Sequence, residues 1–193
     1  MKRSFVLGLV VFVAVGLAVS DPAFAQDKEV RASLPASVSQ TIGLDTEITI
    51  DYSRPGVKGR KIWGELVPYG MNPGNKYSKE KPFPWRAGAN EKTTIAISSD
   101  VLVDGKALPA GKYSIHMIPS EKDWIIAFNK NSEGWGSYDY YEAQDALRVT
   151  VKPVKAPFQE WMRFGFGDLA GTSAVAFLQW EKLKVPFTIA VAE

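Results

Sequence analysis

Cysteine is absent from all 193 residues. That removes disulfides, thiol catalysis and thiolate metal sites. Histidine occurs once, as His116, so a zinc or copper site built from several imidazoles of one chain is excluded as well. Charge of one sign is never concentrated: the formal net charge is +2, and no block of five or six like charges occurs. Such a balance gives no field to steer the chain onto nucleic acid. The densest basic stretch, Arg54, Lys58, Arg60 and Lys61, suits a solvated loop, or a contact for an anionic partner or lipid head group. Also missing are a G-x-S-x-G nucleophile elbow, a phosphate-binding glycine loop and a dinucleotide fingerprint. No cofactor is expected. After residue 26 no segment of helical length carries a 3.6-residue apolar period. At most one helical turn fits, around residues 139 to 144.

The N-terminus does hold a long apolar run. Lys2 and Arg3 precede fifteen uncharged residues, 5 to 19, and then the small-residue string Ala23-Phe24-Ala25. This is the order of a secretory signal: charged region, apolar region, cleavage site. Fifteen residues rise about 22 Å as a helix, short of a hydrocarbon core of about 30 Å. Cleavage after Ala25 is expected, which places the domain in the periplasm or outside the cell. The alternative is an uncleaved helix that anchors the protein in the inner membrane with the domain outside.

Residues 26 to 44 read as a polar entry with one weak apolar run, and period-two alternation dominates the remainder. Ile48, Ile50 and Tyr52 fall on one side of their segment, with Glu47, Thr49 and Asp51 on the other. Tyr113, Ile115 and Met117 alternate in the same way, as do Trp124, Ile126 and Phe128, and Leu147, Val149 and Val151. So do Leu183, Val185, Phe187, Ile189 and Val191 at the end. "QEWMRFGFGD" and "TSAVAFLQW" supply two further strands. Asp104-Gly105 separates two short apolar pieces and suits a two-residue hairpin turn. Eight to ten strands at turn-marked intervals predict an all-β, jelly-roll-like β-sandwich, one domain over residues 26 to 193. A chain of this length buries about 70% of its unfolded surface without a staple. The irregular stretch from Arg54 to Pro84 is expected to cross the surface, with Ile62, Trp63 and Leu66 tucked beneath it. Connections of this length are often functional.

Several blocks, in order, resemble a bacterial secreted family catalogued as a domain of unknown function, family 2911: "SVSQTIGLDTEITIDYSRPGVKGRKIWGELVPYG", "WRAGANEKTTI", "LPAGKYSIHMIP", "WIIAFNKN" with "WGSYDY", and "ALRVTVKP". The resemblance covers roughly residues 34 to 185. It implies an exported β-rich domain and carries over no catalytic residue. In the family pattern "VPYG" leads almost directly into Trp-Arg. Here Met71 to Pro84 stand between them, which looks like an insertion beside the most polar motif.

That motif, "WRAGANE", offers Trp85, Arg86, Asn90 and Glu91. Arg86 can clamp a carboxylate or phosphate, and Asn90 with Glu91 can bind a sugar. Read structurally, Gly88 and Asn90 make a tight turn, Trp85 caps the core, and Arg86 pairs with Glu91 or Glu65. The structural reading is preferred, with recognition second. The loop "NSEGWGSYDYYEAQD" offers Trp135, Tyr138, Tyr140 and Tyr141. Such amphipathic rings anchor partners or stack on sugars; otherwise two or three of them fold back over the sandwich edge. Asp139, Glu142 and Asp145 are hard oxygen donors, but the string lacks a calcium-loop pattern. His116 falls opposite Tyr113, Ile115 and Met117, so it points outward or lies under a loop. Ser114 shares its face, but same-face strand neighbours stand about 7 Å apart, which puts a Ser–His hydrogen bond out of reach. His116 is expected to be satisfied beneath the long 54–84 connection.

These features point to a non-enzymatic, extracytoplasmic binding module for a protein partner or envelope component. If the N-terminal helix is retained, it is an accessory subunit of a membrane complex. The competing class is a secreted glycan hydrolase using acids near Glu91.

Overall fold

The computed structural model describes residues 30–192; the signal or anchor segment, 1–25, lies outside them. Ten strands form two antiparallel sheets. β1 (Leu34–Ile42), β2 (Thr46–Arg54), β3 (Thr94–Ile97), β6 (Gly111–Ile118), β7 (Trp124–Asn129) and β8 (Asp145–Val151) build the larger sheet in that order. β5 (Lys106–Leu108), β4 (Val101–Val103), β10 (Ser173–Val191) and β9 (Val154–Ala170) build the smaller one. The all-β sandwich expected from alternation is what forms. Among the described residues the expected helical turn is a 3-10 turn at Glu142–Gln144.

The core lies between the sheets. Ile48, Ile50, Ile95, Ile115, Met117, Trp124, Ile126 and Phe128 come from the larger one. Val101, Val103, Met162, Leu178, Trp180, Val185, Phe187 and Ile189 come from the smaller one. At one end four indoles interlock: Trp63 lies 4.9 Å from Trp124 and 5.8 Å from Trp180, and Trp85 stacks on Trp180 at 6.1 Å. Edge-to-face and offset contacts of this kind add to the area that the rings bury.

Three expectations change. The stretch before residue 44 is not merely a polar lead-in but the edge strand β1, paired along its length with β2. Its inward positions are Ala36, Val38, Gln40 and Ile42, and Gln40 interrupts the apolar signal. "TSAVAFLQW" and the final segment are one strand of 19 residues, not two. The inward positions run through Ala174, Ala176, Leu178 and Trp180, then switch to Val185, Phe187 and Ile189. Glu181 sits at the switch with φ 54°, and the register to β9 shifts on both sides of it. A bulge inserts one residue and reverses which parity faces the core. Leu66, expected beneath the 54–84 connection, is 45% exposed, whereas Ile62 is buried as expected.

The Asp104-Gly105 turn behaves as its dipeptide predicts. Both residues have positive φ, 45° and 77°, the requirement of a type I′ hairpin.

Candidate functional site

The connection after β2 crosses from one sheet to the other. Gly56 bridges to Trp161 of β9, Val57 N–H bonds the Glu160 carbonyl at 2.9 Å, and Met162 N–H bonds the Pro55 carbonyl at 3.0 Å. Arg54 Nε donates to the Met162 carbonyl at 2.9 Å. The close approach leaves little room for a side chain at Gly56, where an added Cβ would lie 3.1 Å from Glu160 Oε1 and 3.2 Å from Trp161. The chain later returns as "WRAGANE" against the other sheet, where Trp85 and Met117 exchange backbone hydrogen bonds of 2.8 and 3.0 Å. Between these two walls lies a cleft of about 320 Å³.

The motif is a braced turn. Ala87 and Asn90 both have positive φ, 52° and 60°. Trp85 is buried and its indole N–H donates to the Gly88 carbonyl at 3.2 Å. Thr93 Oγ1 donates to the Ala87 carbonyl at 3.0 Å. Asn90 Nδ2 donates to the Ser33 carbonyl at 3.0 Å. Arg86 Nη1 donates to the Asn90 carbonyl at 2.7 Å and its guanidinium lies 5.9 Å from the Tyr138 ring centre. Arg86 therefore does not pair with Glu91 or Glu65, as expected from sequence. Glu65 pairs with Lys61 at 3.0 Å and Glu91 with Arg31 at 2.7 Å. Local chain geometry wins over charge here, because the turn aims the guanidinium back at its own backbone. Glu91's backbone N–H holds its carboxyl below the usual range; desolvation opposes it, and Arg31 adds to the lowering.

The aromatic loop divides. Trp135 and Tyr141 are exposed, at 54% and 52%. Tyr138 folds inward between Phe83 at 5.0 Å and Tyr77 at 5.5 Å. Tyr140 lies edge-on to His116 at 5.0 Å and donates to Asp145 at 2.6 Å. Burial first, and then Asp145, push the Tyr140 phenol up. The loop also pairs with the motif: Glu91 bridges to Trp135, and Gly136 N–H bonds the Asn90 carbonyl at 3.0 Å. Tyr77 and Phe83 belong to the 71–84 segment, which closes on itself through the Asn72–Phe83 bridge. The 71–84 segment and the motif that directly follows it thus share one face with the Trp135–Tyr141 loop, which lies far from both in sequence. The eight candidate residues do not form one cluster, since Trp85 is floor and Tyr140 lies under the loop.

His116 corrects the sequence reading twice. Its Nε2 lies 2.9 Å from Ser114 Oγ. The spacing of about 7 Å separates backbone positions, and side chains leaning along the strand close the gap. The cover is the aromatic loop rather than the 54–84 connection, with Ser137 Oγ 2.8 Å from Nδ1. Ser114 donates to the Asn131 carbonyl at 3.0 Å, so the network assigns the imidazole proton to Nε2, and Ser137 donates to Nδ1. Ser114 and His116 are fully buried. This histidine cannot take a proton from Ser114, and no substrate reaches either group. Burial first, then the nearby Lys92, pull its pKa down to about 3, while Asp139 opposes them. The buried Lys92 ammonium pairs with Asp139 at 2.8 Å and donates to the Asn131 carbonyl at 3.2 Å.

Asp139, Glu142 and Asp145 do not gather into a calcium cage. Asp139 serves Lys92, Glu142 pairs with Arg148, and Asp145 accepts from Tyr140 and from Asn129 at 2.7 Å. Among the described residues no group of three or more acids or histidines is placed to hold a metal.

Sequence reasoning missed the cleft as a site. Lys58, Arg60, Leu66, Asn72, Phe83 and Trp180 line it together with Trp85, Arg86 and Asn90. The Arg54–Lys61 cluster of cations was the one available signal. Its partners across the cleft arrive from Phe83 to Asn90 and from Trp180.

The fold and the cleft define a two-sheet all-β domain with a cation-rimmed cavity at the tryptophan end. The chain belongs to the family described as a protein of unknown function, DUF2911, whose model matches residues 33–189. No curated protein and no solved structure matches it.

Proposed function

We propose that this protein is an extracytoplasmic, non-enzymatic interaction module that docks a protein partner on the face shared by "WRAGANE", the 71–84 segment and the Trp135–Tyr141 loop. The observation that carries the reading is their convergence. Tyr77, Trp135 and Tyr141 stay 64%, 54% and 52% exposed, while Tyr138 beneath is packed between Tyr77 and Phe83. Exposed aromatic rings on a braced support are the composition of an interface core. Lys81 over Tyr141 at 5.3 Å and Arg86 over Tyr138 add cations that suit an acidic partner surface. The order of charged, apolar and small residues at Lys2–Ala25 supports a location outside the cytoplasm. With that helix retained, the module becomes an accessory subunit of a membrane complex, and the intact mass of the native protein separates the two forms.

A glycan hydrolase needs two carboxylates flanking a cleft, one of them with a raised pKa. Glu91 is ion-paired at the surface with its pKa lowered, and among the described residues the cleft is lined by no carboxylate. The test is photo-crosslinking in intact cells of the source, with the photoreactive residue placed at Tyr77, Trp135 or, as a control, Lys112. A discrete adduct from the first two positions and none from Lys112 supports the module. Equal adducts from all three, or none from any, would remove it.

A further inference from the structure

The cleft beside the proposed docking face has an asymmetry that the face does not explain. Its charged lining residues are Lys58, Arg60 and Arg86, all cationic. Each is oriented by its surroundings without an acid partner. Arg60 donates through Nε to the Val57 carbonyl at 3.2 Å and through Nη2 to the Gly56 carbonyl at 2.6 Å. Arg86 is fixed through Nη1 to the Asn90 carbonyl. Lys58 lies over the Trp161 ring at 5.6 Å. Among the described residues, Arg60 Nη1 and Arg86 Nε and Nη2 have no hydrogen-bond partner, and no carboxylate lies within ion-pair distance of any of the three. The nearby acids are otherwise engaged: Glu160 accepts from Lys58 N–H at 2.9 Å, and Glu65 pairs with Lys61. Guanidinium groups held on backbone carbonyls are pre-ordered, so they bind an oxyanion with little further loss of side-chain freedom.

Apart from Ser33, the rest of the lining is apolar or amide. Leu66, Val67, Phe83, Trp85 and Trp180 form wall and floor, and Asn72 and Asn90 stand among them. A volume of about 320 Å³ falls at the small end of ligand sites, which run from about 300 to 1,000 Å³. We infer that the cleft is a binding site for a small organic anion, its carboxylate or phosphate taken by Arg60 and Arg86 and its apolar body laid against Phe83 and the tryptophan floor. This site adjoins the proposed protein-docking face and shares Arg86 and Phe83 with it, but its ligand is a different one and its test does not depend on the docking result.

The test uses the mature protein and three probes of similar shape: benzoate, phenyl phosphate and neutral benzyl alcohol. Tryptophan fluorescence reports occupancy, because Trp85 and Trp180 form the floor. Saturable binding of either anion, weakened by salt and reduced about tenfold or more in Arg60→Gln, is the expected result. Whichever anion binds more tightly identifies the head group. Arg60 also holds two carbonyls, so Lys58→Gln provides a second variant with less structural involvement and should weaken the same anion. Lys112→Gln, on the larger sheet, should leave it unchanged. Equal binding of benzyl alcohol, no saturation up to millimolar probe, or equal losses in Lys112→Gln would overturn the assignment. The cleft also borders Ala32 and Ser33, which follow Asp27 and Glu29 in the chain. A large gain in probe affinity in Asp27→Asn with Glu29→Gln would overturn it too, assigning the cations to the chain's own acidic arm.

Discussion

Acidification below pH 6.5 should destabilise this domain through one residue. His116 is fully buried between Ser114 and Ser137, with Lys92 and Asp139 nearby. Its folded pKa is about 3, against an unfolded value of about 6.5. The folded value is the lower one, so the unfolded chain takes up a proton first as the pH falls. The contribution of the neutral imidazole is complete above pH 6.5 and is lost progressively between pH 6.5 and 3. At pH 5 the loss is 1.5 pH units at about 1.4 kcal/mol each, or about 2 kcal/mol. That is a large part of a typical stability of about 5–15 kcal/mol. Glu91 and Asp139, whose carboxyls are held low, lose their contributions only further into acid. They are also common to a His116→Gln variant, which cannot titrate at this position. The assay is urea unfolding of both proteins at pH 7.5, 6.5, 5.5 and 5.0. The wild type should fall relative to His116→Gln by about 2 kcal/mol between pH 7.5 and 5.0. Parallel profiles would mean that the unfolded chain gains no proton advantage, and the buried neutral histidine would be refuted.

Two further expectations concern packing. Asp139→Asn leaves the Lys92 ammonium buried without its counter-ion and should cost about 3 kcal/mol, more than Lys92→Met, which leaves only a half-exposed carboxylate behind. Urea midpoints of the two variants check the order, and the reverse order would show that Lys92 is not held as a buried charge. In the tryptophan cluster, Trp63 Nε1 is buried without a partner, whereas Trp85 Nε1 donates to Gly88. Trp63→Phe should therefore cost about 1 kcal/mol less than Trp85→Phe, measured the same way; equal costs would mean that the bond to Gly88 contributes nothing.

The limits of the sequence show at particular residues. Gln40 on the inward side of β1 hid a strand whose pairing is complete. The bulge at Glu181 made one strand look like two, because parity counted along the sequence assumes an unbroken register. Charge type is visible in a sequence and suggests a carboxylate partner for Arg86, while the positive φ at Ala87 and Asn90 that turns it back onto the chain is not visible. Backbone spacing alone argues against the Ser114–His116 contact, but side chains leaning along the strand need not respect it.

The amino-acid order by itself determined most of the strand-forming segments, the Asp104-Gly105 turn and the two-sheet class. Each of these depends on neighbours within a few residues, where alternation, φ preference and apolar length act directly. Only the tertiary structure decided which outward residues would be covered and which cations would face one another. His116 is buried because a loop some twenty residues later folds over it. The cleft exists because residues near 56 and near 161 pair across the gap between the sheets. Such contacts are set by how two finished sheets pack, and that packing depends on the whole set of core side chains rather than on any local run of residues.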